Sequence, residues 1–364
     1  MIVLCLDGGS SSLKFAAYRA AGRNGLRCLT SGTLIGAPDP RAVLGRLLRQ
    51  VDEKPSAVGH RIVFGGPART QPVVADDDVL RELEALCPIE PLHLRPEIDL
   101  VIAAREALPG TPQVLCFDTA FHESMPDVAK RLPLPGLDPM LRRYGFHGLS
   151  YEYVSTVLGD TLGARAIVAH LGSGASLCAL RDGAPVDTTM GFSALGGLMM
   201  ATRPGDLDPG VLLRLMGEGY DATQLSDLLY ERAGLAGVSG VSGDMRALLA
   251  AAHTDQRART ALELYDYQLL KHAGALVAVL GGLDTLVFTG GVGEHQPEVR
   301  ANLCRSLRYT GVEIDDEANV RNADVLSTPE SGVSVRVVPT DENLTIARHA
   351  LATFAKGTPS PSRT

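Results

Sequence analysis

Uninterrupted apolar runs of about half a dozen residues alternate with stretches of helical spacing along most of the chain. Ile2-Val3-Leu4-Cys5-Leu6 is the first such run, and others cover 113–117, 166–171, 175–180, 284–289 and 333–338. Their length, β-branched content and polar or glycine borders predict buried strands. Apolar residues at helical spacing predict helices over 40–52, 97–107, 208–217 and 261–280, the third opened by Asp208-Pro209 as N-cap and first helical residue. This alternation is that of an α/β protein. The longest apolar stretch, Ala273 to Phe288, is broken by Gly281, Gly282 and Asp284, so it reads as helix, turn and strand rather than a membrane span. The closing KGTPSPSRT is polar and predicts a disordered tail.

The turns after the strands are more specific. DGGSSSLKF, residues 7–15, places glycines, serines and a lysine directly behind the first run. AIVAHLGSGASLC, residues 166–178, repeats that logic of strand, Gly/Ser turn and second strand, which predicts a duplicated fold. FTGGVGE at 288–294 is a third glycine turn between a strand and a helix. Glycines admit close backbone approach, and successive N–H groups form an anion-binding nest. Three such turns, each after a strand, point to nucleotide phosphate binding.

Composition narrows the class. At 364 residues two domains are expected, and 45% hydrophobic with 21% charged residues is ordinary for a soluble globular chain. A net charge of −8 argues against a general nucleic-acid or anionic-membrane binder, while leaving room for a local basic pocket. The first residues lack a secretory pattern, and six unclustered cysteines, among them Cys5, Cys116 and Cys178 in strand-like runs, read as buried thiols in a reducing cytoplasm. A zinc site is not expected.

Polar residues embedded in apolar context carry the candidate chemistry. Arg61 lies in GHRIVFGG, His93 in PLHLRP, Asp118 in FDTAFH and His147 in RRYGFHG. Arg203 ends a Gly/Pro segment, Asp244 and Arg246 lie in SGVSGDMR, and Glu342 lies in PTDENLTIA. Phosphoryl transfer needs carboxylates for a divalent cation, with Arg, Lys and His to stabilise charge on the moving group.

The motifs DGGSSSLK, GHRIV, PLH, FDTAFHESMP, RRYGFHG, HLGSGAS, DTTMGF, GLMMATRPGDLDP, SGVSGDMR, GGVGE and TDEN, in this order from residue 2 to about 350, resemble the acetate kinase family. That resemblance implies the duplicated ribonuclease H-like architecture of the actin/Hsp70/sugar-kinase superfamily, with the active site in an inter-domain cleft. The expected domains are 1–145 with 344–364, and 146–343. It also implies reversible phosphoryl transfer from ATP to a short-chain carboxylate, giving acyl phosphate and ADP, with Mg²⁺ or Mn²⁺, in a cytoplasmic homodimer.

Carried over position by position, the resemblance gives Arg61 and Arg203 the carboxylate and phosphoryl group, and His147 a hydrogen bond to the phosphoryl group in its transition state. Asp118 matches an essential aspartate near the metal, with Asp7 and Glu342 as the metal residues. Ser10, Ser12 and Lys14 match the first phosphate turn, and His170, Gly172, Ser173 and Gly174 the second. Asp244, Met245 and Arg246, with Gly290, Gly291, Gly293 and Glu294, match the nucleotide side. His93, Val63, Leu92, Phe146 and Ala194 match the acid pocket.

Several positions depart from the family. Asp7 and Ser173 each replace an Asn, Phe64 replaces a His, GEHQ replaces a Glu-Asn-Ser run, and Ala194 replaces a Pro. A roomier pocket at Ala194 brings propionate into competition with acetate, since one methylene is worth about 1–3 kcal/mol; Val63 argues for acetate. Asp118 and Glu342 have helix N-capping as a competing role. Arg61 and Arg203 could instead form structural ion pairs, and His60, His122 and His170 read on their own as structural histidines. Two other functions compete: the same chemistry with pyrophosphate as donor, and a nucleotide-binding regulator without turnover.

Overall fold

The computed structural model describes residues 1–8, 12–22, 25–36, 39–51 and 53–357. Ser10 and the tail beyond 357 lie outside the described residues, as do side-chain facts for Ser12. Two compact units form: one from Met1–Glu123, Phe146–Tyr153 and the chain from Asp341 onward, the other from Ser124–Gly145 and Val154–Thr340.

The first unit's sheet contains β1 (Ile2–Gly8), β2 (Ser12–Ala21), β3 (Gly25–Ile35), β4 (Ala57–Ile62), β5 (Val73–Val74) and β6 (Gln113–Phe117), in the order β3-β2-β1-β4-β6-β5. The strands β1, β2 and β3 pair antiparallel, whereas β1, β4 and β6 run parallel. Alternation along β1 sends Ile2, Leu4 and Leu6 to one face and Val3 and Cys5 to the other. The first set packs with Val43, Leu44 and Leu47 of α1 (Pro40–Leu48) and Leu100, Ala103 and Ala104 of α2 (Leu94–Ala107). The second packs with Leu149 of α3 (Gly148–Leu158) and Ile346, Ala347 and Ala350 of the last helix, Glu342–Gly357. Cover on both faces explains why β1 reads as one continuous apolar run.

The second unit repeats the plan. Here β7 (Arg165–Leu171), β8 (Ala175–Arg181), β9 (Ala184–Thr188), β10 (Thr285–Thr289) and β11 (Ser334–Val337) take the order β11-β10-β7-β8-β9. Its first three strands are again antiparallel and the next two parallel to the first. Apart from the short β5, both sheets therefore have the order third, second, first, fourth, fifth. That recurrence is the duplicated ribonuclease H-like fold. A long helix, α4 (Gln256–Leu280), buries Ala258, Ala261, Tyr265, Leu269, Ala273, Leu276 and Leu280 along one stripe and packs on β8.

Element ends differ from expectation for local reasons. The helix α4 begins at 256 rather than 261 because Asp255 caps it, accepting from the N–H groups of Arg257 and Ala258. The expected 40–52 helix stops at Leu48, with Arg49 as its C-cap. Unit boundaries also shift from the sequence division at 145 and 344. Tyr144 N–H bonds to the Gly191 carbonyl at 3.0 Å, whereas Gly148 N–H bonds to that of Asp118 at 2.9 Å. Residues 124–145 thus associate with the second unit and Phe146–Tyr153 with the first.

Candidate active site

Three neighbouring parallel strands of the first unit deliver Asp7, Arg61 and Asp118 at or just beyond their carboxyl ends. In open α/β sheets this is where ligands bind. Backbone bonding sets the register, with Asp118 N–H donating to the Ile62 carbonyl at 3.0 Å. Arg61 is the hub. Its Nε and Nη2 reach Asp118 Oδ2 at 2.8 and 2.6 Å, and its Nη1 lies 3.3 Å from Glu97 Oε1 and 3.7 Å from Asp7 Oδ1. Lys14 Nζ stands 3.9 Å from Asp7 Oδ2. The other Glu97 oxygen accepts the Val63 N–H at 2.8 Å, fixing the chain where β4 ends.

Asp7, Glu97 and Asp118 are buried and Glu342 is half-buried, so four carboxyl groups surround one guanidinium. Burial pushes Asp118 and Glu97 up, with Arg61 pulling each back. Glu342 is pushed up to about 8, first by burial and then by Asp7 and Asp118, against Arg61 and Lys14. Burial works against the Arg61 cation, but Asp118, Asp7, Glu97 and Glu342 outweigh it and raise its pKa. This surplus of acidic oxygen suits a hard divalent cation. No group of three or more His, Cys, Asp or Glu side chains placed to hold a metal occurs among the described residues.

Glu342 does not cap the last helix, since Asp341 does, its Oδ1 accepting the Leu344 N–H at 2.9 Å. Asp118 gives Oδ2 to Arg61 and also receives a backbone hydrogen bond from Leu149 in the first turn of α3. His147 adopts φ 58°, a left-handed conformation uncommon outside glycine. Its neighbour must be glycine, because a Cβ at Gly148 would collide with the Asp118 carbonyl. The buried Phe146 stacks near Phe64, ring centroids 6.3 Å apart. Its carbonyl accepts from His122 Nε2 at 2.9 Å. Burial lowers His122 to about 4, and likewise His60, whose Nε2 lies 2.8 Å from Gln113 Oε1. Both are structural histidines. His93 stands at the N-cap of α2, its Nδ1 3.8 Å from Glu90, and Leu92 before it is half-buried.

In the second unit the structure joins two residues named from sequence: Arg203 Nη1 donates to the Ala194 carbonyl at 2.8 Å. Ala194 is buried. The Arg203 loop is tied by Asp206 Oδ1, which accepts the Gly197 N–H at 2.7 Å. It is tied also to the second phosphate turn, since Ala201 N–H bonds to the Ser173 carbonyl at 3.1 Å. Within that turn Gly172 N–H bonds to the Gly174 carbonyl at 3.0 Å, next to the buried His170. Asp244 caps the helix Met245–Ala251, accepting from Ala247 N–H at 2.9 Å; Met245 is buried and Arg246 projects outward, 80% exposed. Glu294 carries backbone bonds to Gly290 and Thr340, and Gly291 and Gly293 lie in the same short helix.

Sequence reasoning missed Glu97. Its signal was a charged residue on the stripe of α2 that also carries Leu94, Ile98 and Val101, all buried.

Residues 42–348 match the model of the Acetokinase family. The chain belongs to that family. It is 42% identical over 390 residues to an acetate kinase of Rhodopseudomonas palustris (strain ATCC BAA-98 / CGA009), covering 96% of this chain and 97% of that one. An acetate kinase of Methylocella silvestris is 47% identical over 308 residues, 83% of this chain and 76% of the relative. The fold superposes on the crystal structure of Porphyromonas gingivalis acetate kinase with a TM-score of 0.85 at 36% identity, covering 97% and 99% of the two chains. A propionate kinase from Francisella tularensis gives 0.86 at 31% identity, covering 96% and 99%.

Proposed function

We propose that this acetokinase is a short-chain carboxylate kinase, transferring the γ-phosphoryl group of ATP to acetate or propionate and running reversibly. A carboxylate oxygen attacks the γ-phosphorus, the new O–P bond forms and the bond to the ADP oxygen breaks. Charge on the transferring group has to be matched rather than a proton moved. The observation that carries the reading is Arg61, held by Asp118 and Glu97 beside Asp7 at neighbouring strand ends. In this reading Arg61 and Arg203 hold the acid and the phosphoryl group, His147 donates to the phosphoryl oxygens, and Asp118 orients Arg61. The glycine turns and Lys14 take the nucleotide phosphates. Val63, Leu92, Phe146 and Ala194 form the acyl wall.

Mg²⁺, or Mn²⁺, belongs to the same reading, with Asp7 and Glu342 as its protein oxygens; when bound it neutralises phosphate charge. Six free thiols accord with a reducing cytoplasm. A homodimer is supported by the helix Pro209–Gly217, which buries none of its side chains and exposes Val211, Leu213 and Met216. No helix among the described residues is long and apolar enough to cross a membrane.

Trapping acyl phosphate with hydroxylamine tests the reading, using acetate, propionate and butyrate with Mg²⁺ and either ATP or pyrophosphate. Product with ATP is expected. Product only with pyrophosphate would replace the donor, and no product from folded protein would remove the kinase reading.

A further inference from the structure

The family resemblance puts Glu294 on the nucleotide side. Glu294 is already engaged: its Oε1 accepts the N–H of Gly290 at 2.9 Å and of Thr340 at 3.1 Å, the latter 46 positions away in sequence. The side chain is only 14% exposed. Its other oxygen lies 3.9 Å from His295 Nε2. One carboxylate oxygen therefore pins the start of the glycine turn to the chain leading into Asp341 and Glu342.

The far end of that short helix is pinned too. Arg300 is fully buried, and each of its N–H groups has an oxygen acceptor. Nε donates to Asn319 Oδ1, Nη2 to the Asn319 carbonyl and Asn322 Oδ1, and Nη1 to the carbonyls of Gly293 and Glu294, all within 2.9 Å. None of these acceptors is a carboxylate. A buried cation is costly without full satisfaction, and here it satisfies carbonyls that a six-residue helix would leave unpaired. Gly290 itself, at φ 77°, presses against β7: a Cβ there would sit 2.7 Å from the Leu171 carbonyl oxygen.

We propose that Glu294 is a positioning residue for the nucleotide rather than a ligand to it. It fixes the glycine turn against Thr340, with Arg300 holding the turn's other end. The Gly290 N–H is committed inward, so phosphate recognition at this turn passes to its neighbours, Gly291 foremost. The proposal rests on the kinase reading for the identity of the ligand, an adenine nucleotide.

The test compares Glu294→Ala, which removes the acceptor, with Glu294→Gln, which keeps an oxygen acceptor and loses the charge. ADP affinity is measured by calorimetry and amide exchange is followed at residues 290–295 and 338–341. Glu294→Ala is expected to weaken ADP about tenfold, the loss of two backbone bonds, with KM for the carboxylate unchanged. Exchange at Gly290 and Thr340 should quicken in the same variant. Glu294→Gln should restore both ADP affinity and exchange protection. Unaltered ADP affinity in Glu294→Ala overturns the proposal, as does a Glu294→Gln variant as weak as Glu294→Ala, which would mean that the charge meets the ligand directly. Acyl phosphate formation by the wild-type preparation is read alongside. Its absence counts against the kinase reading, while the exchange comparison still decides whether Glu294 holds the turn.

Discussion

Tyr18 Oη lies 3.0 and 2.9 Å from the two carboxylate oxygens of Asp341, sharing one hydrogen between them across 323 positions of chain. Asp341 caps the last helix, whose first residue is Glu342. A buried tyrosine on β2 thus fixes the cap that sets where Glu342 begins. Tyr18→Phe keeps the ring and removes the donor to a charged group, so a loss of about 1.5–3 kcal/mol is expected, read as a lower urea midpoint with an unchanged slope. An unchanged midpoint would mean that water replaces the phenol without cost.

Asp118→Asn preserves shape but breaks the charge match to Arg61. Mispositioning that guanidinium should lower kcat about a hundredfold or more, with the fold intact by circular dichroism. A rate close to wild type would remove Asp118 from the machinery.

Glu342 gives the unliganded protein an unusual pH response. Its folded pKa, about 8, lies above the ordinary 4.5. Between those values the folded state holds a proton that the unfolded state has released, so this group's contribution to stability falls as pH rises. Glu342→Gln should flatten that slope. Mg²⁺ should raise Tm more at about pH 9 than at about pH 6, because a cation needs the ionised carboxylate. Equal Mg²⁺ effects at both ends would place the ion elsewhere.

The buried histidines act in the opposite sense. His60 and His122 titrate near 4 in the fold against 6.5 unfolded. Their stabilisation is present above 6.5 and is lost as pH falls toward 4, at about 1.4 kcal/mol per pH unit for each ring. Since the carboxyl groups titrate as well, the informative quantity is the difference between wild type and His60→Gln, which should lose one ring's share of the acid slope.

Ala194→Pro should move preference from propionate toward acetate by roughly tenfold, one methylene's worth in an apolar pocket. The Arg203 bond goes to the backbone carbonyl of Ala194, which proline keeps. A changed kcat/KM ratio for the two acids therefore reports on pocket volume, and an unchanged ratio would clear Ala194 of any part in specificity.

How much of this was legible in sequence depended on whether the cause was local. The strands β1, β7 and β10 were readable because burial on both faces gives each an uninterrupted apolar run. The strand β4 was hidden by Gly59 and His60. Gly59 is there because Ile346 of the last helix crowds the position, and His60 is tolerated because Gln113 meets it. Both partners are far away in the chain. Arg61 and Asp118 were legible as polar residues in apolar surroundings. Glu97, on helix α2, was not, since its partners are Arg61 of β4 and Val63 just after it, 36 and 34 positions away. The bond from Thr340 N–H to the Glu294 carboxylate was out of reach for the same reason, since the two residues lie 46 positions apart.

The repeated strand order has an evolutionary reading. Two copies of one scaffold bear unlike residues at the same place: Asp7 near the end of β1 and His170 near the end of β7. In the proposed function the first faces a cation and the second a phosphate, and a single ancestral hairpin could not suit both at once, since a charge that attracts one repels the other. Duplication lifts that conflict. Each descendant hairpin can then drift toward its own ion while the shared β-sheet topology preserves the fold.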